Sequence, residues 1–311
     1  MERLKEIKKY LNPADTVVIV FLLLITSLNL FFFQKIPEWQ LNISINILII
    51  TFAVIFAILD SKTGIAVWTQ LHLWYLVPFV FLSFQELHRM IGPLRGITYD
   101  DSLIIIDRFI FGTDPTKELF KIANPYLTEL LQIVYGTFFF LPVILGIDFK
   151  MYKKADAFNY SAFIIVYGFT LSFIGYLLVP AIGPRFTLHD FAMNNLEMPG
   201  LFVTDFLREI VNSAEGIAAG TANPSLIVQR DCFPSGHTQM TLLVMFLSVK
   251  FRSRCKLFFI LNGTLLIFAT VYLRYHYVAD LIGGLIFMLL TIWSGKYIFE
   301  SWSGNPRESI D

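Results

Sequence analysis

Cys232-Phe233-Pro234-Ser235-Gly236-His237-Thr238 closes a long polar segment and opens an apolar run, Met240 to Val249. Pro234 and Ser235 read as a helix start, with Ser235 as the N-cap. A helix N-terminus presents unpaired N–H groups and the positive end of the helix dipole, which together favour an anion. Gly236 lets a ligand approach the backbone. His237 falls in the first turn, where it can give a proton to whatever binds there. The same residues also fit an ordinary capped helix with an interfacial histidine, and this stretch alone does not separate the two.

A second stretch, Arg274-Tyr275-His276-Tyr277-Val278-Ala279-Asp280, lies between two later apolar runs. His276 and Asp280 have the spacing that shares one helix face. A carboxylate so placed holds an imidazole in one tautomer and raises its basicity, as in nucleophile–base–orienter arrangements. A lone His/Asp pair is also a common structural hydrogen bond. Two such histidine motifs on one side of a membrane point to chemistry.

That a membrane is involved follows from composition. The chain has 311 residues, of which 56% are hydrophobic and 15% charged, with a mean hydropathy of +0.63. Apolar runs of near-bilayer length recur, which predicts an all-α, polytopic membrane bundle. The net charge is zero, so no nucleic-acid footprint shows. Cys232 and Cys255 are the only cysteines, too few for a disulfide framework.

About eight spans are expected: Thr16–Phe33, Leu41–Leu59, Gly64–Phe84, Tyr126–Ile147, Asn159–Pro180, Gly236–Val249, Lys256–Leu273 and Val278–Phe299. The first is too long for a signal-peptide core and lacks a small-residue cleavage site, so it reads as retained. Asp60-Ser61-Lys62 reads as a tight turn. Two polar excursions, Gln85–Asn124 and Ala181–Asp231, interrupt the pattern. In the first, Leu103–Phe111 is broken by Asp107 and Arg108 and reads as an interfacial amphipathic piece. Its charges (Glu86, His88, Arg89, Arg95, Asp100, Asp101, Asp107, Arg108 and Asp114) read as a solvated loop or, alternatively, as the lining of a head-group pocket. In the second, Phe206, Leu207, Ile210 and Val211 make one apolar helix face. With no internal repeat, the chain reads as one membrane domain.

Eight spans place both termini on one side. The short loops of that side carry Arg3, Lys5, Lys8, Lys9, Lys62, Lys150, Lys153, Lys154, Lys250, Arg252, Arg254, Lys256, Lys296 and Arg307, against Lys35 and Arg274 on the other. The positive-inside rule makes the termini cytoplasmic. Arg185, His237 and the His276/Asp280 pair then meet on the non-cytoplasmic face, and Cys232 and Cys255 fall on opposite faces. Arg185 supplies a fork of donors, the helix start at Ser235 supplies N–H groups, and the histidines supply a nucleophile and an acid. That is a candidate phosphate site.

These residues resemble a known family. Phe233-Pro234-Ser235-Gly236-His237-Thr238 is similar to the second signature of the type-2 phosphatidic acid phosphatase superfamily. Val271-Tyr272-Leu273 through His276-Tyr277 and Asp280-Leu281-Ile282-Gly283-Gly284 is similar to its third. The likeness covers roughly residues 64–299, matching a six-helix core, with residues 1–63 as two added helices. It implies that His276 attacks phosphorus to form a phosphohistidine, Asp280 orients it, and His237 protonates the leaving oxygen. Ser235, Gly236 and Arg185 would hold the phosphoryl oxygens, with no metal or other cofactor.

The chain also departs from the pattern. Ala269 and Thr270 stand where the third signature usually has Ser-Arg, with Arg274 as the candidate replacement charge. Leu178 stands at the usual Lys of the first signature, and Arg185 follows a proline rather than preceding one. These departures, with Tyr176-Leu177-Leu178-Val179-Pro180 and Asp107-Arg108-Phe109-Ile110-Phe111-Gly112, resemble the branch containing inositol phosphorylceramide synthases. Sphingomyelin synthases share the same triad. The expected activity is phosphoryl or phosphodiester transfer on a membrane lipid, to water or to an alcohol or polyol acceptor. The alternatives are a head-group transferase of the sphingolipid-synthase kind and a non-catalytic lipid-binding or transport protein. The two excursions, with Glu86, His88 and Arg95 in the first, are expected to decide between water and acceptor.

Overall fold

The computed structural model describes residues 9–303, so Arg3, Lys5, Lys8 and Arg307 lie outside the described residues. The chain forms a bundle of helices, and no strand occurs among the described residues. An N-terminal hairpin comes first, α1 (Pro13–Phe31) and α2 (Trp39–Thr63). Then follow α3 (Ala66–Trp74), α4 (Leu76–Arg95), α5 (Asp100–Phe111), α6 (Pro115–Phe120), α7 (Pro125–Gly136), α8 (Phe140–Met151) and α9 (Ala155–Leu178). The second excursion holds α10 (Thr204–Ala214) and a few single turns. The chain ends with α11 (Gly236–Lys250), α12 (Lys256–Tyr272) and α13 (Val278–Ser303).

Among the described residues, five segments are long and apolar enough to cross a membrane: α1, α2, α3 with α4, α9 and α13; six, if the bent pair α7–α8 counts as one. The remaining two expected spans are shorter helices, α11 of 15 residues and α12 of 17. At about 1.5 Å per residue, α11 covers roughly 22 Å, less than a hydrocarbon core of roughly 30 Å. Both stop short because their ends carry the motifs. α11 starts behind the Ser235 cap, and α12 ends where the chain turns toward His276.

Three boundaries differ from expectation for physical reasons. The turn expected at Asp60-Ser61-Lys62 is helical. Gly64, in the left-handed conformation at φ 61°, ends α2 instead. The third span runs on through Arg95, so Glu86, His88 and Arg89 stand on a helix rather than in a loop. The fourth span breaks between Gly136 and Phe140 and bends by 57°.

α9 is the hub. Its most apolar window is 61% buried, against 28–39% for the other spans. It packs on α1, α4, α8, α11 and α13. A polar link ties three of these together. Gln239 of α11 donates to the Gly168 carbonyl of α9 at 3.0 Å and to Thr291 of α13 at 3.1 Å, and accepts from Ser172 of α9. The hairpin joins the bundle through buried Glu86, which accepts from Asn29 of α1 at 2.7 Å and from Asn46 of α2 at 3.0 Å. Glu86 therefore faces the hairpin and not a head-group pocket.

The basic loops gather at one end. Lys154 donates to the carbonyls of Phe251 and Arg252, Lys150 donates to Gln70, and the Arg254 guanidinium lies 3.9 Å from the Tyr152 ring centroid. The motif residues sit at the other end of α11.

Candidate active site

Ser235 caps α11: its Oγ accepts from the Thr238 N–H at 3.1 Å, and its own N–H donates to the Asp280 carbonyl at 3.0 Å. The cap thus also pins α11 to α13. A Cβ at Gly236 would collide with the Tyr176 hydroxyl, so a protein neighbour already needs glycine there. His237 follows, stacked on Tyr135 with ring centroids 4.6 Å apart and packed at a tilt on Phe138 at 4.1 Å. Tyr135 in turn stacks on Tyr275 at 4.4 Å. This aromatic grip comes from α7 and the break that follows it, and nothing in the motif announces it.

His276 is buried and lies between two partners. Its Nδ1 is 3.3 Å from Asp280 Oδ2, and its Nε2 is 3.4 Å from His237 Nδ1. Asp280 Oδ2 also accepts from the Tyr277 N–H at 2.8 Å and from the Cys232 thiol at 2.9 Å. The structure therefore brings His237, His276 and Asp280 into one line. Asp280 holds one nitrogen of His276 while the other faces His237. Cys232 Sγ, His276 Nδ1 and an Asp280 oxygen lie within 4.8 Å of one another, a donor set that a cation could use. The short thiol–carboxylate distance equally fits an S–H donor. Cys232 and Cys255 are both free thiols.

Arg185 stands on the single turn Pro184–Thr187, with its N–H bonded to the Arg274 carbonyl at 3.1 Å. Its guanidinium lies over the Phe186 and Tyr275 rings and pairs with Glu215, and it donates to Asn212 Oδ1 at 2.9 Å. An internal carboxylate thus occupies the fork expected for phosphate. The preceding Gly183 has φ 94°, and a Cβ there would meet the Tyr275 carbonyl oxygen at 2.8 Å, so this turn can pass under the His276 segment only with glycine. Arg274, expected beside the phosphate, directs its guanidinium to Glu197 and over the Phe120 ring; its partners are outside the triad.

Two more carboxylates border the site. Asp231 shares the wall of a cavity with Gly236, His237 and Tyr176. Burial, reinforced by the negative charge of Glu215, pushes the Asp231 carboxyl upward, while His276 and Arg185 pull it down. Burial likewise pushes Glu215 up, against the pull of Arg185 and His276.

The first excursion supplies the scaffold. α5 is amphipathic, but its acids face inward: Asp100 and Asp107 are buried while Phe109 is 88% exposed. Asp107 accepts from the N–H groups of Val278 at 2.9 Å and Ala279 at 2.7 Å, capping α13 two residues before Asp280. Burial lifts the Asp107 carboxyl above its ordinary range, although those two donors lower it. Asp100 accepts from Gly183 N–H at 2.9 Å and Tyr277 Oη at 2.9 Å, joining the Arg185 turn to the His276 turn. Glu129 of α7 accepts from the N–H groups of Leu201 and Val203, each at 2.8 Å, at the start of α10. Asp100 and Asp107 are therefore not solvated loop charges. In α10 the expected face is half right: Leu207 and Val211 lie inward beside buried Thr204 and Arg208, whereas Phe206 and Ile210 are exposed.

Comparison with known proteins fits this geometry. The profile of the PAP2 superfamily matches residues 106–294, more than half of the chain. An inositol phosphorylceramide synthase of Candida albicans is 26% identical over 218 residues, covering 66% of this chain and 46% of the relative. The chain thus spans about half the length of the curated relative it matches. No solved structure gives a significant match.

Proposed function

The chain belongs to the PAP2 superfamily, and we propose that it is an integral-membrane lipid phosphatase or phosphotransferase working through a phosphohistidine on His276. The observation that carries this reading is the line Asp280–His276–His237, with one His276 nitrogen held by the carboxylate and the other facing the second histidine. Nε2 attacks phosphorus, the bond from phosphorus to the leaving oxygen breaks, and His237 donates the proton that oxygen needs. Water or an acceptor hydroxyl then attacks phosphorus, the P–N bond breaks, and the attacking group's proton passes to a nearby base. The positive end of α11 and Arg185 hold the phosphoryl oxygens, Arg185 exchanging Glu215 for the substrate. Residues 64–299 act as the catalytic core, with α1 and α2 as an addition.

Asp231, its carboxyl pushed up by burial, lines the cavity beside His237, where it can take the proton of an attacking water or acceptor hydroxyl alike. A carboxylate there is a poor neighbour for a phosphate and a good base for an incoming hydroxyl. The name of the Candida albicans relative supports a sphingolipid or inositol lipid head-group reaction, with an alcohol or polyol acceptor. The site faces the non-cytoplasmic side, with the termini cytoplasmic.

The test supplies purified protein with lipid phosphates and phosphodiesters, with and without diacylglycerol or ceramide acceptors, and scores released head group against new lipid. His237→Ala should retain activity on substrates with good leaving groups and lose about 100-fold or more on poor ones. An equal loss on both would remove the acid role. Single cysteines near Arg185 and near Arg274 should label from outside intact cells and one near Lys153 should not; the reverse pattern would overturn the topology.

A further inference from the structure

An apolar groove of about 520 Å³ lies between α4, α8 and α9. It is within the range of roughly 300–1,000 Å³ common for small-molecule sites. No charged side chain lines it. The cavity bordered by Asp231 and His237 shares Val80, Phe81, Phe139 and Phe169 with it. The groove therefore adjoins the cavity that His237 borders, across these shared walls. Its side is open, since Phe81 is 54% and Phe139 is 53% exposed. The opening is where α7 and α8 part at their 57° bend. Its far end is closed by Trp74 and Phe158, whose rings meet edge to face at 6.3 Å. Gly146 of α8 lies in this closure, and a Cβ there would come within 3.2 Å of the Phe158 ring.

We propose that this groove receives one alkyl chain of the lipid whose phosphoryl group reacts at His276, and that Trp74, Phe158 and Gly146 set how long a chain fits. The inference rests on the lipid reading of the same site. The chemistry is complementary: a charged head beside histidines and Arg185, a hydrocarbon tail along an uncharged wall, and a lateral mouth through which a membrane lipid slides in without leaving its leaflet. From Phe84 to Trp74 the wall runs about ten residues of helix, roughly 15 Å, which suits a long fatty chain and leaves a short one under-filled.

Two measurements separate this inference from the catalytic one. Phosphatidic acid carrying a photoactivatable diazirine at one chain end, bound to the inactive His276→Ala protein in vesicles, should cross-link to Trp74, Val143 or Phe158. Excess dioleoyl phosphatidic acid should suppress that labelling. Cross-links confined to outward faces such as Phe31 and Leu24, or labelling that competitor leaves unchanged, overturn the groove even if lipid is turned over. Groove labelling in a protein that cleaves no lipid phosphate would instead overturn only the reaction. Ala162→Phe and Val143→Phe, which narrow the groove from two different helices, should each lower the preference for dioleoyl over dihexanoyl substrate by about tenfold. An unchanged preference in both sinks the chain-length role.

Discussion

Two histidine–carboxylate clusters occupy the two ends of this bundle, and they differ in what is left over. At the end with the basic loops, His72 lies between Asp15 at 3.0 Å on Nε2 and Asp60 at 2.9 Å on Nδ1. Asp15 is further held by the Tyr75 hydroxyl at 2.7 Å and the Asn12 N–H at 2.7 Å. Both ring nitrogens are committed, and the cluster joins α1, α2 and α3. At the other end His276 has one nitrogen on Asp280 and the other facing His237, beside a cavity. The same residue types thus make a clasp in one place and, on the function proposed above, a reactive group in the other. What distinguishes them is that the second nitrogen of His276 meets another histidine, itself at the edge of a cavity, where that of His72 meets a second carboxylate.

The largest expected effect breaks this comparison directly. His276→Ala should lower turnover by at least about 1,000-fold while leaving the melting temperature in detergent close to wild type, because in the proposed mechanism it removes the nucleophile. His72→Asn should do the reverse. It leaves buried Asp15 and half-buried Asp60 short of a partner, a cost of about 1–3 kcal/mol, so the melting temperature falls while turnover per folded molecule stays. Thermal shift and single-turnover assays on both variants decide the matter. A His72→Asn protein that is stable but inactive would erase the distinction.

The triad was readable because its logic is local. A cap followed by Gly-His, and a His and Asp one helical turn apart, announce themselves within a few residues. The apolar runs likewise announced the helices, though not where α4 ends or that α7 and α8 break, since Thr137-Phe138-Phe139 looks like any other apolar stretch. The supporting carboxylates were unreadable for the opposite reason. Asp107 meets Val278 across a separation of 171 residues, and Asp100 meets Tyr277 across 177. Nothing near either acid says that its partner is a backbone N–H or a tyrosine hydroxyl rather than water. Glu215 and Asp231 were hidden in the same way, as charges in a long polar segment.

Asp107 gives the next effect in size. Its hydrogen bonds go to neither His237 nor His276, yet it holds the first two N–H groups of α13, the helix that carries Asp280. Asp107→Asn keeps the shape and loses the charge that favours a helix N-terminus. If the cap positions Asp280 behind His276, kcat should fall roughly tenfold with little change in KM, since small misplacements of a reacting group are costly. Asp107→Glu should recover part of the loss. A change in KM alone would mean that the cap shapes binding and not the reacting line.

The smallest expected effect concerns the carboxylate already seated on Arg185. Glu215 pairs with that guanidinium, so a phosphoryl group bound there as proposed would have to displace it. Glu215→Gln removes the competing charge and keeps the side chain's size. A phosphoryl mimic should then bind more tightly, by about tenfold at most, equivalent to about 1.4 kcal/mol. Sulfate is the better probe because its own charge is constant across the useful pH range. Burial raises the Glu215 carboxyl and Asp231 raises with it, while Arg185 and His276 pull both down. A raised carboxyl gains its proton earlier as the pH falls, and a protonated Glu215 releases Arg185. Sulfate inhibition of the wild type should therefore strengthen as the pH falls through the range above ordinary carboxylates, and Glu215→Gln should flatten that dependence. What persists in the variant and disappears in Glu215→Gln/Asp231→Asn belongs to Asp231. If wild type and Glu215→Gln bind sulfate equally at every pH, Arg185 does not hold the phosphoryl group, and the clasp-against-reactive contrast between the two ends rests on His276 alone.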